Sequence, residues 1–436
     1  MKPEIKTRLA QIRAGEIPQG YKKTKLGIIP QEWEVMPLKS RFDRLTRKNS
    51  ENNTNVMTIS AQYGLINQEE FFKKEIASED KSNYYLLHNG EFAYNKSYSS
   101  GYPFGAIKRL SLYDKGIVSP LYICFSANNH NACPEFYQHY FEGGKLNSEI
   151  QAIAQEGARN HGLLNISVED FFYTKIIVPP LEEQKKIADI LSAQDRIIEL
   201  CERKTEELKR TKKYYLQKMF PKDGEEYPEI RFKGFTDAWE QRKLGDLGTF
   251  KNGMNFSKDA MDKGYPFVNL QNIFGRNVID TDNLGLAEAT DTQLREYNLL
   301  QGDILFVRSS VKLEGVGEAA LVPKSLENTT YSGFIIRFRD DSNMDDDFKR
   351  FVFGIKSVRD QIMAKATNSA NKNISQEVLN NLEVLLPSNA EQQKIGSFFA
   401  RLDDLITLHQ RKCEEEKKKK NALQQLLLTG IVRVKK

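Results

Sequence analysis

The chain has 436 residues, of which 39% are hydrophobic, and it contains 25 Phe and 18 Tyr. This length exceeds what one ordinary core accommodates, so we expect more than one domain, and the aromatic content excludes a disordered chain. The 64 Lys and Arg against 59 Asp and Glu give a net charge of only +5. That balance excludes a uniformly basic protein but leaves room for local basic surfaces that face phosphates.

Residues 1–29 form an N-terminal segment that lacks the apolar core of a signal peptide. No apolar run approaches the roughly 18 residues that a membrane span needs, so we expect a cytoplasmic protein. Leu9–Ile17 loosely echoes Leu423–Val432. We hypothesise that the first stretch completes the first half of the chain as the second stretch completes the second half, which would give a pseudo-circular chain.

Residues 30–178 predict a first α+β unit, with strand-like runs such as Leu121–Phe125 and Lys175–Val178. Its loops combine amide, hydroxyl and basic side chains, which can bond base edges or hold phosphates, although solvated turns look the same. The candidate DNA contacts that we select in this unit are Lys96, Ser97, Tyr98, Arg159 and Asn160.

One cluster of Cys and His residues in the first unit is a candidate metal site. It consists of Cys124, His130, Cys133 and His139. Two Cys and two His are nominally enough for zinc, but no tight C-x2-C pair exists. We therefore interpret these residues as buried thiols and ordinary histidines, and we predict no metal site and no disulfide framework.

Residues 179–222 predict a long helix that begins just after a proline pair and stops at Pro221. Apolar residues recur at every third and fourth position, with polar interruptions, which is typical of a coiled-coil seam. The seam positions that we expect at a helix or partner interface are Ile187, Leu191, Ile198, Leu208 and Tyr215.

Residues 230–386 predict a second α+β unit, with strands at Asp303–Val307 and Gly333–Phe338 and a helix over Phe348–Ala366. The candidate DNA contacts in its loops are Arg308, Ser309, Ser310, Lys372 and Asn373. A second seam follows over residues 387–430, with Ile395, Phe399, Leu402, Ile406 and Leu423 as its interface positions.

The two halves repeat each other. Residues from Pro179 match residues from Pro387 without a gap, at an offset of 208, so that Asp195 pairs with Asp403. Further upstream, Gly90–Tyr94 resembles Gly302–Phe306. Lys96-Ser97 and Arg308-Ser309 therefore fall at matching places, and the same place in a repeat is expected to have the same role.

Matched seams in a duplicated chain favour pairing of the two helices with each other. An antiparallel pair would separate the two globular units, and about 39 residues at 1.5 Å each make a rod of roughly 58 Å, comparable with the spacing of DNA half-sites. The alternative is two unconnected amphipathic helices that pack on their own domains. Signatures of phosphate loops, amino-methyltransferases, zinc proteases and nucleophile elbows are absent from the sequence, so nothing in it indicates catalysis.

The order of unit, Pro-x-x-x-Glu-Gln-x-Lys-Ile helix, unit and helix strongly resembles the specificity subunit of type I restriction-modification enzymes. The resemblance covers nearly the whole chain. It rests on Pro179–Ile187 and Pro387–Ile395 and on the two openings Ile29–Trp33 and Phe235–Trp239. It implies two similar target recognition domains separated by two long antiparallel coiled-coil helices with a pseudo-two-fold repeat.

The resemblance further implies that each domain reads one half of a split sequence in double-stranded DNA and that the helices dock methyltransferase subunits, expected as two copies, and restriction subunits. S-adenosylmethionine, ATP and Mg would then bind in those partners and no cofactor in this bacterial or archaeal chain. Two rival functions stay open: a coiled-coil scaffold that never touches DNA, and a recognition subunit of another restriction-modification class. Binding that ignores salt would favour the scaffold, because phosphate contacts weaken steeply as salt rises.

Overall fold

The structure is a computed structural model that describes residues 3–60, 64–72, 80–98, 101–128, 131–154, 164–367 and 372–434. It divides into two compact units. Unit 1 comprises Met1–Cys201 together with Lys412–Lys436, and unit 2 comprises Glu202–Arg411. Each unit therefore contains one mixed domain and a part of both long helices.

The helices that precede the first long helix are short and flank a set of four- and five-residue strands. In chain order these elements are α1 Pro3–Arg13, β1 Tyr21–Thr24, β2 Gly27–Pro30, β3 Glu34–Pro37, β4 Phe42–Leu45, β5 Met57–Ser60, β6 Gly64–Asn67, α2 Gln68–Phe72, β7 Tyr85–His88, β8 Phe92–Asn95, β9 Ala106–Arg109, β10 Lys115–Val118, β11 Ile123–Ala127, α3 Pro134–Glu142, α4 Asn147–Ile153, α5 Val168–Tyr173 and β12 Lys175–Val178. The first long helix, α6, spans Leu181–Lys218.

The second domain has the same kind of elements, and the second long helix follows it. They are β13 Glu240–Lys243, β14 Gly248–Asn252, β15 Met261–Val268, β16 Gly285–Ala287, α7 Asp291–Glu296, β17 Ile304–Val307, β18 Ser309–Ser310, β19 Ala319–Leu321, β20 Thr330–Tyr331, β21 Ile335–Asp340, α8 Asp346–Val352, α9 Lys356–Lys365, β22 Lys372–Asn373, α10 Gln376–Asn380, β23 Glu383–Leu386 and α11 Asn389–Leu427.

The internal repeat is evident in the sheet topology. Unit 1 has a four-stranded antiparallel sheet in the order β4-β11-β8-β9, and unit 2 has one in the order β14-β21-β17-β19. The strands β8 and β17, which the sequence comparison paired, occupy the same place in their sheets. In each domain a strand near the start also pairs with the last strand, β3 with β12 and β13 with β23. The long helix thus leaves each domain beside the point where the chain entered it.

Aromatic side chains fill both cores. In unit 1, Phe92 and Phe125 stack with their ring centres 5.3 Å apart, and Phe42 meets both rings edge-on. In unit 2, Phe338 packs against Phe250, and the ring of Phe353 lies 5.2 Å from that of Phe306. Edge-to-face aromatic pairs stabilise a core by about 0.5–1.5 kcal/mol beyond the area that they bury.

The predicted helix over Phe348–Ala366 is wrong as a single element. The structure has two helices there, α8 and α9, separated by residues 353–355. Phe353 is buried in the core of unit 2, Gly354 follows it, and Ile355 has the extended backbone that precedes a new helix. Because Phe353 and Ile355 on either side of Gly354 are apolar, the helical pattern of apolar residues continues through the break, and the sequence pattern does not indicate it.

The two long helices run antiparallel within each unit. In unit 1, Gln194 Nε2 donates to Glu416 Oε2 at 2.5 Å, Lys420 contacts Asp195 at 2.5 Å, and Cys201 contacts Cys413. Residues later on α6 therefore contact residues earlier on α11. In unit 2, Lys212 Nζ contacts Asp403 Oδ1 at 2.5 Å and the ring of Tyr215 packs 5.2 Å from that of Phe398. All predicted seam positions are buried or half-buried.

Residues 412–434 belong to unit 1, which corrects the hypothesis that they complete the second half of the chain. Leu427 and Leu428 lie in the core of unit 1, and Tyr21 Oη donates to the Gly430 carbonyl at 2.7 Å. Both residues 9–17 and residues 423–432 lie in unit 1, where Arg8 on α1 donates to the Ile431 carbonyl at 2.6 Å. No helix among the described residues is long and apolar enough to cross a membrane.

Candidate nucleic-acid interface

Five of the predicted contact residues come together at one end of the second domain. The fully buried strand β17 continues through Arg308 into β18, and β18 pairs with β22, so that Ser309 faces Asn373 and Ser310 faces Lys372. The Ile374 amide donates to the Arg308 carbonyl at 3.0 Å. The buried strand anchors this end in the core, while β18 and β22 are half-buried.

Main-chain contacts hold this group in place. The Arg308 amide donates to the Phe334 carbonyl at 2.8 Å, and Arg308 Nη1 donates to the Gly333 carbonyl at 3.3 Å. Within the chain before β22, Thr367 Oγ1 accepts from the Asn373 amide at 3.1 Å. A guanidinium has five donors, so the bond to Gly333 leaves enough of them for a bidentate pair with a guanine edge.

The first domain places its predicted residues in the same way. Lys96 follows β8, its carbonyl accepts from the Leu164 amide at 3.1 Å, and its Nζ donates to the Ile166 carbonyl at 3.4 Å. Ile166 corresponds to Ile374 at the offset of 208. Both domains therefore carry a basic residue and a serine where the equivalent strand leaves the sheet, beside the equivalent downstream segment.

The structure describes two further predicted residues of the first domain, Ser97 and Tyr98. The Ser97 amide donates to Asn95 Oδ1 at 3.0 Å, and the side chain of Tyr98 is 62% exposed. Arg159 and Asn160 lie outside the described residues.

Of the nominal zinc cluster, His130 also lies outside the described residues, and Cys124 and Cys133 belong to different cores. The described residues contain no group of three His, Cys, Asp or Glu that could hold a metal ion.

The structure adds apolar residues that the sequence analysis missed. Val311 directly follows Ser310 and is 79% exposed, and Phe334 is 59% exposed. Together with Phe274 they line an open pocket of about 530 Å³ beside β18. The remaining lining residues are Leu270, Ser309, Ser310, Lys312, Glu314, Gly315 and Glu318. The adjacency of Val311 to Arg308-Ser309-Ser310 was a signal for one of the three.

The helical interface is charged at equivalent places. The contact between Asp195 and Lys420 in unit 1 and the contact between Asp403 and Lys212 in unit 2 are related by the offset of 208 on both sides. These ion pairs are partly buried, and each joins one long helix to the other. Opposite charges at matching seam positions specify register, because a shifted pairing leaves them unpaired.

Each long helix also exposes apolar residues at equivalent positions. Ile197 and Leu200 on α6 are 40% and 53% exposed, and their counterparts at the same offset, Leu405 and Leu408 on α11, are 43% and 62% exposed. Single exposed apolar residues are ordinary on protein surfaces. A pair repeated at the same offset in a divergent chain instead indicates a surface that both halves present.

Two buried carboxylates join the long helices to their domains. Glu183, in the first turn of α6, accepts from Trp33 Nε1 at 2.8 Å and from Arg433 at 2.8 Å. Its equivalent, Glu391, accepts two bonds of 2.8 Å from Arg231. Burial raises the pKa of Glu183, but the bonds from Arg433 and Trp33 outweigh it and hold the pKa below its ordinary value. Both carboxylates are ion-paired, so we interpret them as residues that fix each long helix to its domain.

Residues 30–210 and residues 236–417 each match the family described as "Type I restriction modification DNA specificity domain". The chain is 25% identical over 440 residues to the MjaX type I restriction enzyme specificity subunit of Methanocaldococcus jannaschii, which covers 96% of this chain and 97% of that protein. It is 24% identical over 286 residues to the EcoKI specificity subunit of Escherichia coli, with 64% and 59% of the two chains covered.

Two solved structures share the fold. A type I restriction-modification S subunit from M. genitalium superposes with a TM-score of 0.54 over 91% of this chain and 96% of its own, at 15% sequence identity. A chain from a type I R-M system solved for its complex assembly and conformational transition gives a TM-score of 0.55 over 93% and 99%, also at 15% identity.

Proposed function

Because the chain belongs to the family of type I restriction-modification DNA specificity subunits, we propose that each of its two α+β domains reads one half of a bipartite target in double-stranded DNA. The first recognition domain would comprise residues 30–178 and the second residues 230–386. The observation that carries the proposal is the duplicated placement of Lys96-Ser97 and Arg308-Ser309 at the ends of equivalent strands.

The chemistry of these groups suits the recognition of DNA. Arg pairs with guanine through two parallel hydrogen bonds, Asn pairs similarly with adenine, and Lys and Ser bind phosphates or single base atoms. Asn373 and Lys372 on β22, and Arg308 directly before β18, would supply these three kinds of contact. Residues Arg159 and Asn160 remain candidates for the first domain.

The subunit is proposed to be non-catalytic and to act in the cytoplasm, where cellular DNA lies. Methyltransferase and restriction subunits would supply the chemistry and bind S-adenosylmethionine, ATP and Mg. Two methyltransferase copies are proposed, because Ile197 and Leu200 on α6 recur as Leu405 and Leu408 on α11, so that one kind of partner surface fits each half. The coiled-coil ion pairs would fix the spacing between the half-sites.

Sequencing with detection of modified bases tests the proposal. The chain is expressed in a host with its neighbouring methyltransferase subunit, and the methyltransferase alone serves as the control. We expect new methyladenine at one split motif, which would give both half-sites. A stable complex that adds no methylation at any sequence would overturn the proposal in favour of a scaffold without DNA binding.

A further inference from the structure

The exposed apolar residues beside β18 form a surface that the hydrogen-bonding groups do not explain. We call Phe274, Val311 and Phe334 the apolar lip, since all three line the open pocket of about 530 Å³. Their exposed fractions are 38%, 79% and 59%. One such residue would need no explanation, but three around one opening mark a contact surface.

The lip is continuous with the candidate interface. Ser309 and Ser310 line the same pocket, and the Phe334 carbonyl accepts the hydrogen bond of the Arg308 amide. Whatever the polar groups of β18 bind must therefore also meet apolar side chains. Lys312 lines the pocket and Lys372 pairs with Ser310, so positive charge lies beside the lip.

The pocket itself does not suit a phosphate. Two of its lining residues are Glu314 and Glu318, and Glu318 accepts a hydrogen bond from the Gly275 amide at 2.8 Å. Carboxylates repel the phosphate backbone, whereas basic residues around them attract it. This distribution of charge favours backbone contacts at the rim and a base edge over the pocket.

We infer that the apolar lip recognises the C5-methyl group of a thymine in the second half-site, which makes Val311 and Phe334 specificity-determining residues. In the major groove the only apolar group that base pairs present is the thymine methyl. Val311 is the most exposed of the three residues and lies closest in sequence to Arg308, so it contacts a thymine adjacent to the base that Arg308 reads. This inference rests on the proposed function.

The test removes only the methyl group. Once the target is known, each thymine on both strands of the second half-site is replaced in turn by deoxyuridine, and binding of the complete complex is measured. The loss of one methyl contact is worth about 0.8 kcal/mol, so we expect one position where deoxyuridine weakens binding roughly fourfold.

Variants then assign that position to the lip. Val311→Ser removes both methyl groups, and Phe334→Ser removes the ring; both side chains are exposed, so folding should persist. We expect each variant to bring the thymine-to-deoxyuridine ratio close to one at that position. Leu286→Ser, at an exposed site of β16 outside the pocket, is the matched control and should retain the fourfold ratio.

The outcomes separate the inference from the proposed function. Specific binding with no sensitive thymine in the second half-site, or a fourfold ratio that survives both variants, overturns the thymine contact while leaving DNA recognition intact. Failure of the wild-type complex to distinguish its target from a scrambled duplex would overturn the proposed function itself.

Discussion

Arg308, directly before β18, and Lys372, on β22, lie at the same end of the second domain but have different chemistry. A guanidinium fits a guanine edge with two bonds, whereas an ammonium is a compact charge that favours phosphate. We expect Arg308→Ala to weaken binding by about 1–3 kcal/mol and to relax specificity at one base pair.

We expect Lys372→Ala to weaken binding to all sequences, and to reduce the salt dependence of the binding constant by the equivalent of about one phosphate contact.

Titrations of target and scrambled duplexes at several salt concentrations measure both effects. Lys324→Ala is the control, because Lys324 is an exposed lysine of the same domain outside the strand pair. An Arg308→Ala variant that loses equal affinity for every sequence would contradict its assignment to a base edge.

Glu183 predicts a pH dependence of stability. Its pKa is depressed in the folded protein relative to 4.5, so its contribution is fully present above that value and is lost as the pH falls through the lower folded pKa. Glu183→Gln should lower the free energy of unfolding at pH 7 by no more than about 3 kcal/mol, because Arg433 is partly exposed to water.

Denaturant unfolding at pH 7 and below pH 4.5 measures this difference. The gap between wild type and Glu183→Gln should narrow on the acidic side, since protonation removes the same charge from the wild type. Glu182→Gln, one residue earlier on an exposed part of the helix, should show no such narrowing.

The sequence indicated polar candidate contact residues more readily than apolar ones. Arg308, Ser309 and Lys372 were selected because amide, hydroxyl and basic side chains in loops have an evident use. Val311 and Phe334 were missed, since an apolar residue in a sequence indicates a core until a structure shows it exposed. The roles of all these residues stay predictions.

At the scale of elements, two cysteines report on how the long helices pair. Cys201 on α6 and Cys413 on α11 are buried in unit 1, and their thiols are hydrogen-bonded to each other. We expect mild oxidation of the intact protein to join them in a disulfide, with the electrons passing to the oxidant, and to change the mobility of the chain in a non-reducing gel.

Cys201→Ser should abolish that change, whereas Cys124→Ser should not, because Cys124 lies in a β-strand core away from the helices. The pseudo-equivalent position in unit 2 carries Thr205 and His409, so no second crosslink forms there. A crosslink in the Cys201→Ser variant would contradict the antiparallel register.

The sequence predicted some elements well for physical reasons. The strand at Lys175–Val178 is confirmed, because a short β-branched run between two breaks has few alternatives. The helix over Phe348–Ala366 was wrong, since the apolar pattern continues through Gly354. The three-stranded sheet β16-β15-β20 could not be predicted, because it pairs strands far apart in a sequence without alternating polarity.

At the scale of the whole molecule, the two domains should be exchangeable. Replacing residues 230–386 by the same region of a relative is expected to change one half-site and to leave the other, because each domain has its own core and pairs its own last strand with a strand near its start. Detection of modified bases in the host reads out both half-sites. A change in both would contradict independent reading.

The repeated apolar positions predict two equal partner sites. Leu200→Glu and Leu408→Glu should each remove one methyltransferase copy from the complex, and the double variant should remove both, because a charge at the centre of an apolar contact is costly to bury. Native mass spectrometry counts the copies. Glu199→Lys is the control, since neighbouring helical residues point about 100° apart, and loss of both copies from either single variant would contradict independent sites.

The internal repeat was the sequence feature that predicted most of the fold. A constant offset of 208 over two helices implied a duplicated fold, and the matching sheet orders bear it out. The association of residues 412–434 with unit 1 was not foreseen, because sequence similarity relates equivalent positions and says nothing about which copy a segment joins.

That association sets an order of events during translation. Unit 2 is continuous from Glu202 to Arg411, so all of its residues are synthesised before Leu427, Leu428 and Arg433. Unit 1 begins the chain but must wait for Leu427 and Leu428 to enter its core and for Arg433 to reach Glu183. Unit 1, whose synthesis starts first, therefore depends on residues that are synthesised after the whole of unit 2, and a ribosome that stalls after Arg411 leaves unit 1 without them.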